Sequence, residues 1–148
     1  MINTDLTQLG VEVVVASARL TRMASRDVSA LPHAAMRLLG RLDELGPTRI
    51  SELAKADRCS QPTMSTLVQR QEEQGWVRRE PDPADSRASL ISLTDSGYDE
   101  LQRARQEAGA AVAARLRQLP ATDLTTLEAA VAVMHQILTL DPLEDSPR

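Results

Sequence analysis

The placement of Leu53 and Ala54, then Cys59, then Met64 and Leu67, constrains this chain more than any other feature of its sequence. Thr48 can cap a short helix from Ile50 to Ala56, and Ser60 can cap a second from Gln61 to Gln74, with Pro62 tolerated in its first turn. Counted from Leu53, the offsets of 6, 11 and 14 put one apolar side chain in the turn and two on the second helix. Helices joined this tightly share a small core when they cross at roughly 90 to 120°, and Ala54 lets them approach. Arg58 occupies the turn position where Gly often relieves a left-handed backbone, so some strain is expected there.

After Gly75 the apolar period changes to two. Trp76–Glu80 and Ala88–Leu93 read as short strands around the polar stretch from Pro81 to Arg87. Four further helices surround this unit. Residues 5–26 carry the stripe Leu6, Leu9, Val13, Ala16, Leu20 and Met23, capped by Thr4 or Asp5; another helix runs from near Pro32 to a stop at Gly46-Pro47. A long helix starts at Thr94 or Asp95 and reaches about Leu119, ahead of Pro120. The last begins after Thr122 or Asp123, carries Leu124, Leu127, Val131, Met134, Ile137 and Leu138, and precedes a fraying polar tail from Asp141. The expected fold is mainly α with a small β-hairpin wing: a winged helix-turn-helix lobe over residues 30–94, helical regions over 1–29 and 95–142, and a tail over 143–148, all one domain.

Composition excludes several alternatives. Cys59 is the single cysteine, so no internal disulfide forms, and the opening MINTDLTQLG lacks the basic and apolar regions of a secretion signal. No apolar run approaches the roughly 20 residues that span a bilayer, so a cytoplasmic protein without a membrane partner is expected. The two histidines, His33 and His135, stand far apart, and neither a metal-spaced Cys/His cluster nor a glycine-rich phosphate loop is present. Neither a metal, a cofactor nor an enzymatic activity is therefore expected. The net charge of −4 weighs mildly against nucleic acid, but residues 49–87 hold seven basic and seven acidic side chains, so the rest carries the whole deficit.

With Met64, Leu67 and Val68 turned inward, the second short helix turns Gln61, Pro62, Ser65, Thr66, Gln69 and Arg70 outward, and Thr63 to the margin. Hydroxyls and amides near a helix N-terminus can meet base edges and phosphates in a major groove, and an arginine further along can reach guanine or phosphate. A plain solvated face is the alternative.

The run Leu67-Val68 to Gly75-Trp76-Val77-Arg78-Arg79, then Asp82-Pro83-Ala84-Asp85-Ser86-Arg87, then Leu93-Thr94-Asp95-Ser96-Gly97, resembles the MarR (multiple antibiotic resistance regulator) family of winged helix-turn-helix transcriptional regulators. The order of six helices and a hairpin is similar too. Gln71 departs from that pattern, which usually holds an apolar residue there, and Trp76 stands where Leu is common. The resemblance implies a sequence-specific DNA-binding regulator, most often a repressor. It makes Arg87 the wing residue that enters the minor groove, where narrow grooves attract arginine, with Asp85 holding it; a simple hairpin salt bridge is the alternative. The DNA-binding set is thus Gln61, Thr63, Ser65, Thr66, Gln69, Arg70, Asp85 and Arg87.

The apolar stripes of the terminal helices lack an obvious partner in so small a lobe. Pairing with a second copy, as in the family, predicts a homodimer on a pseudo-palindromic double-stranded operator whose half-sites lie about 10 bp apart; an intramolecular bundle is the alternative. The family often releases DNA on binding a small aromatic or phenolic effector, for which Arg19, His33 and Arg37 are the candidate contacts. Cys59 offers a thiol-based redox switch, although its turn position favours a small buried hydrophobe. The chief rival function is a winged-helix protein-interaction module that does not bind DNA.

Overall fold

The computed structural model describes residues 5–26 and 31–140. The tail from Asp141, and Thr4 as a cap, lie outside the described residues. In chain order the elements are α1 (Leu6–Arg26), α2 (His33–Leu45), β1 (Thr48–Arg49), α3 (Ile50–Ala56), α4 (Gln61–Glu73), β2 (Val77–Asp82), β3 (Asp85–Leu93), α5 (Asp95–Leu116) and α6 (Ala121–Thr139). They fall into two compact units that divide within α5, between Ala111 and Val112.

In the first unit, α2, α3 and α4 pack with the sheet around Leu38, Leu39, Leu42, Leu53, Met64, Val68, Val77, Ile91 and Leu101. The helix-turn-helix spacing is realised: Leu53 and Val68 are wholly buried, and Ala54 and Met64 nearly so. Cys59 and Leu67 are half-buried at its edge. Arg58 has φ 52°, the left-handed turn that the sequence anticipates. α2 ends at Gly46, whose φ of 73° suits a residue without Cβ.

Several boundaries differ from expectation. Thr48 does not cap α3. It pairs with Ile91 as part of a third strand, and its hydroxyl donates to the Gly46 carbonyl at 2.8 Å, while Arg49 holds the cap position without a side-chain bond. The sheet is therefore three-stranded and antiparallel in the order β1-β3-β2. The wing strands also run further than their apolar pattern: Pro81 pairs with Ser89 and Asp82 with Asp85, leaving only Pro83-Ala84 between them. Backbone pairing tolerates polar side chains that the alternation signal misses. α5 ends three residues early, at Leu116, and α6 begins at Ala121 with Pro120 in the cap position, so neither Thr122 nor Asp123 caps it.

The start of α5 is fixed by Thr94. Its amide donates to the Trp76 carbonyl at 3.1 Å, its hydroxyl donates to the Gly75 carbonyl at 2.6 Å, and the same oxygen accepts from the Gly97 amide at 3.0 Å. Gly97 is buried so close to Trp76 that a Cβ there meets backbone on three atoms.

The terminal helices leave apolar surface open. Asp5 caps α1 by accepting from the Thr7 and Gln8 amides, and along α1 not only Leu6, Leu9 and Leu20 of the stripe but also Val11, Val14 and Val15 are exposed. In the second unit α6 buries no residue, and Leu127, Val131, Val133, Ile137 and Leu138 face solvent.

Candidate nucleic-acid interface

α4 begins where the sequence places it. Ser60 Oγ accepts from the Thr63 amide at 3.2 Å and lies 2.7 Å from the Thr63 hydroxyl, satisfying one of the orphan donors of a helix start. Met64, Val68 and Gln71 form the buried stripe. That leaves Gln61, Thr63, Ser65, Thr66, Gln69 and Arg70 all exposed on the other side. Their readiness to meet a ligand differs. Thr66 donates back to the Pro62 carbonyl and Gln69 to Glu73, whereas Gln61, Ser65 and Arg70 make no side-chain hydrogen bond among the described residues.

Arg87 lies near the tip of the wing with 90% of its side chain exposed, its Nε 3.2 Å from Asp85 Oδ1, which also accepts from the Arg87 amide. A pair this exposed contributes little to stability, on the order of 0 to 1 kcal/mol, so the guanidinium can leave it for another anion. Arg79 reaches Glu72 at 3.2 Å, tying the wing strand to the last turn of α4.

The buried carboxylate of the wing is Asp82, a role the sequence reading did not assign. Its Oδ2 takes both Arg49 Nε at 2.6 Å and Arg49 Nη2 at 2.5 Å, and its Oδ1 accepts from the Ala84 amide at 2.8 Å. The Ala84 amide and the Arg49 guanidinium hold this carboxyl below the usual carboxylate range, against the opposing effect of burial. An Asp before Pro signals the Asx turn in the sequence, but the distant Arg49 carries no local signal.

Arg37, one of the three candidate effector contacts, is exposed on α2. It forms a two-point pair with Asp57, at 3.0 and 3.1 Å, and lines a depression of about 460 Å³ with Ala34, Cys59, Thr63, Thr66 and Arg70. Arg19 and His33 are exposed on α1 and at the start of α2 and do not line it. Among the described residues no group of His, Cys, Asp or Glu could hold a metal ion, and no helix is long and apolar enough to cross a membrane.

Residues 31–89, which carry this geometry, match the family model "MarR family". The chain is 36% identical over 70 residues to YxaD of Bacillus subtilis, an uncharacterized HTH-type transcriptional regulator; that match covers 47% of this chain and only about half (49%) of YxaD. It is 26% identical to the HTH-type regulator Mb0904 of Mycobacterium bovis, covering 96% of this chain and 100% of the relative. Among solved structures, a MepR variant from S. aureus bound to an oligodeoxyribonucleotide has a similar fold, with TM-score 0.62 at 21% identity, covering 88% of this chain and 98% of that one.

Proposed function

We propose, from the match of residues 31–89 to the MarR family, that this chain is a sequence-specific DNA-binding transcriptional regulator of that family, not an enzyme, working in the cytoplasm as a homodimer. The observation that carries the proposal is the outward face of α4, where amides, hydroxyls and Arg70 stand exposed with no carboxylate before Glu72. Such a face suits base edges and phosphates of a major groove, while Arg87 at the exposed wing tip suits the negative potential of a narrow minor groove. In this reading Gln61, Thr63, Ser65, Thr66, Gln69 and Arg70 meet DNA from α4, and Asp85 holds Arg87 ready.

The open apolar faces of α1 and α6 support the dimer, because surfaces of this kind mark association sites. A two-fold pair matches a pseudo-palindromic operator with half-sites about 10 bp apart. Repression relieved by a small aromatic or phenolic acid is the finer form of the proposal. Its support is the depression beside α4, where Arg70 supplies positive charge next to Thr63 and Thr66 while Arg37 is held by Asp57 on the same lining; an occupant there competes with DNA for the same side chains.

Fluorescence anisotropy on the DNA flanking the protein's own gene, at low and moderate salt, tests the reading. Tight, sequence-selective binding that falls with salt is expected, weakened about tenfold or more by Arg87→Ala. No binding to that duplex or to random duplex at low salt overturns it in favour of a protein-interaction module.

A further inference from the structure

We infer that Arg49 and Asp82 form a brace that fixes the angle of the wing and so positions Arg87, without touching DNA themselves. The inference rests on the DNA-binding reading above and adds two positioning residues to it.

The sheet topology shows why a brace is needed. β1 contributes only Thr48 and Arg49, paired with Ile91 and Leu90 of β3. Beyond Leu90 the wing is a two-stranded ribbon, with Pro81 opposite Ser89 and Asp82 opposite Asp85. Two-stranded ribbons are marginal by themselves, and here a register irregularity falls between Pro81 and Asp82, which invites bending. Since β3 lies between β1 and β2, Arg49 must reach across the central strand to meet Asp82 on the far one. The contact ties the tip end of β2 to the residue that enters α3.

One carboxylate does two jobs at that point. Asp82 Oδ2 takes the guanidinium while Oδ1 takes the Ala84 amide and closes the tip. The side chain is only 6% exposed, so it cannot exchange Arg49 freely for water as the surface pair of Asp85 and Arg87 can. Arg87 lies five residues past Asp82, and its partner Asp85 sits opposite Asp82 in the ladder. The direction in which Arg87 leaves the wing is thereby set by the Arg49–Asp82 contact.

A double-mutant cycle with hydrogen exchange tests this. In the free protein, Arg49→Gln and Asp82→Asn, the latter keeping an acceptor for the Ala84 amide, are expected to speed exchange of the wing amides over residues 82–89 while those of α2 and α4 keep their wild-type rates. Unchanged wing exchange overturns the brace whatever DNA binding shows. On operator DNA, Arg49→Gln is expected to weaken binding about fivefold in the wild-type background but less than about twofold when Arg87 is already Ala, since residues acting through one another are not additive. Full additivity, with the salt slope reduced by about one, overturns the inference by making Arg49 a direct phosphate contact. Absence of duplex binding by the wild-type protein overturns the DNA reading instead, and the exchange arm still decides the brace.

Discussion

Gly97→Ala is the sharpest test of how the wing is joined to α5. A Cβ built on Gly97 stands 3.0 Å from Trp76 Cα, 2.8 Å from its carbonyl carbon and nearer still to its oxygen, all inside the roughly 3.5 to 4.0 Å of favourable contact. The three atoms are backbone, and the oxygen already accepts from the Thr94 amide, so relief requires the first turn of α5 to move and loosen the Thr94 bonds. Overpacking of this kind costs about 1 to 3 kcal/mol, and a rigid obstacle argues for the upper end. Alanine recovers about 0.5 to 1 kcal/mol through the entropy that glycine loses in a helix. The net expectation is a loss of about 2 kcal/mol, or about 4 to 8 °C in Tm for a chain of this size. Gly40 in α2 is the matched control: a Cβ there meets nothing within 4 Å, so Gly40→Ala should gain about 0.5 to 1 kcal/mol. Urea denaturation at fixed protomer concentration, followed by the fluorescence of Trp76, the only tryptophan, and by circular dichroism, reads both. A Gly97→Ala protein as stable as wild type refutes the reasoning, since the close approach would then demand no glycine.

Gln71 is 5% exposed and its Oε1 accepts no hydrogen bond among the described residues, so Gln71→Leu should raise stability by about 1 to 2 kcal/mol in chemical denaturation and leave the exposed face of α4 unaltered. Arg58 has φ 52°; relief of left-handed strain offset by greater unfolded-chain freedom gives Arg58→Gly a net gain of about 0.5 to 1 kcal/mol, visible as a higher urea midpoint. The folded pKa of Asp82 lies below its ordinary 3.8, so its ionised form contributes stability above that pH and loses the contribution as pH falls through the lower folded value. Acid titrations of wild type and Asp82→Asn should therefore differ at neutral pH and converge below 3.8; a constant gap down to strong acid refutes the assignment.

Much of the lobe was legible because its signals are local. Ser60 before Gln61-Pro62, the left-handed turn at Arg58 and the apolar spacing from Leu53 to Val68 all lie within one short stretch of sequence, and each is realised. The alternation of Trp76–Glu80 located the wing but not its length, because pairing between Pro81 and Ser89 is made by backbone and leaves no apolar trace. The misassignment of Thr48 has the same origin. A hydroxyl ahead of a helix suits a cap, but pairing with Ile91, more than 40 residues away, draws it into the sheet. The Leu-Thr-x-x-Gly pattern was visible as resemblance alone; its cause, the approach of Gly97 to Trp76, needs the fold. Arg49 and Asp82, 33 positions apart, were hidden for the same reason.

Charge balance explains why placement matters more here than attraction. Of the seven basic residues between 49 and 87, four are paired with carboxylates: Arg49 with Asp82, Arg78 with Glu80, Arg79 with Glu72, and Arg87 with Asp85. Lys55, Arg58 and Arg70 form no ion pair among the described residues. A phosphate approaching a paired arginine replaces one anion by another and leaves a carboxylate facing the DNA, so net electrostatic gain is small. Non-specific affinity, which comes almost wholly from phosphate neutralisation, is therefore weak on the proposed reading. Recognition must draw instead on the fit of a few exposed groups, and an arginine on an overhanging ribbon fits only if the ribbon is held. The buried Asp82 supplies that hold where the exposed Asp85 cannot, because exclusion from water strengthens a charged hydrogen bond that solvent would otherwise screen.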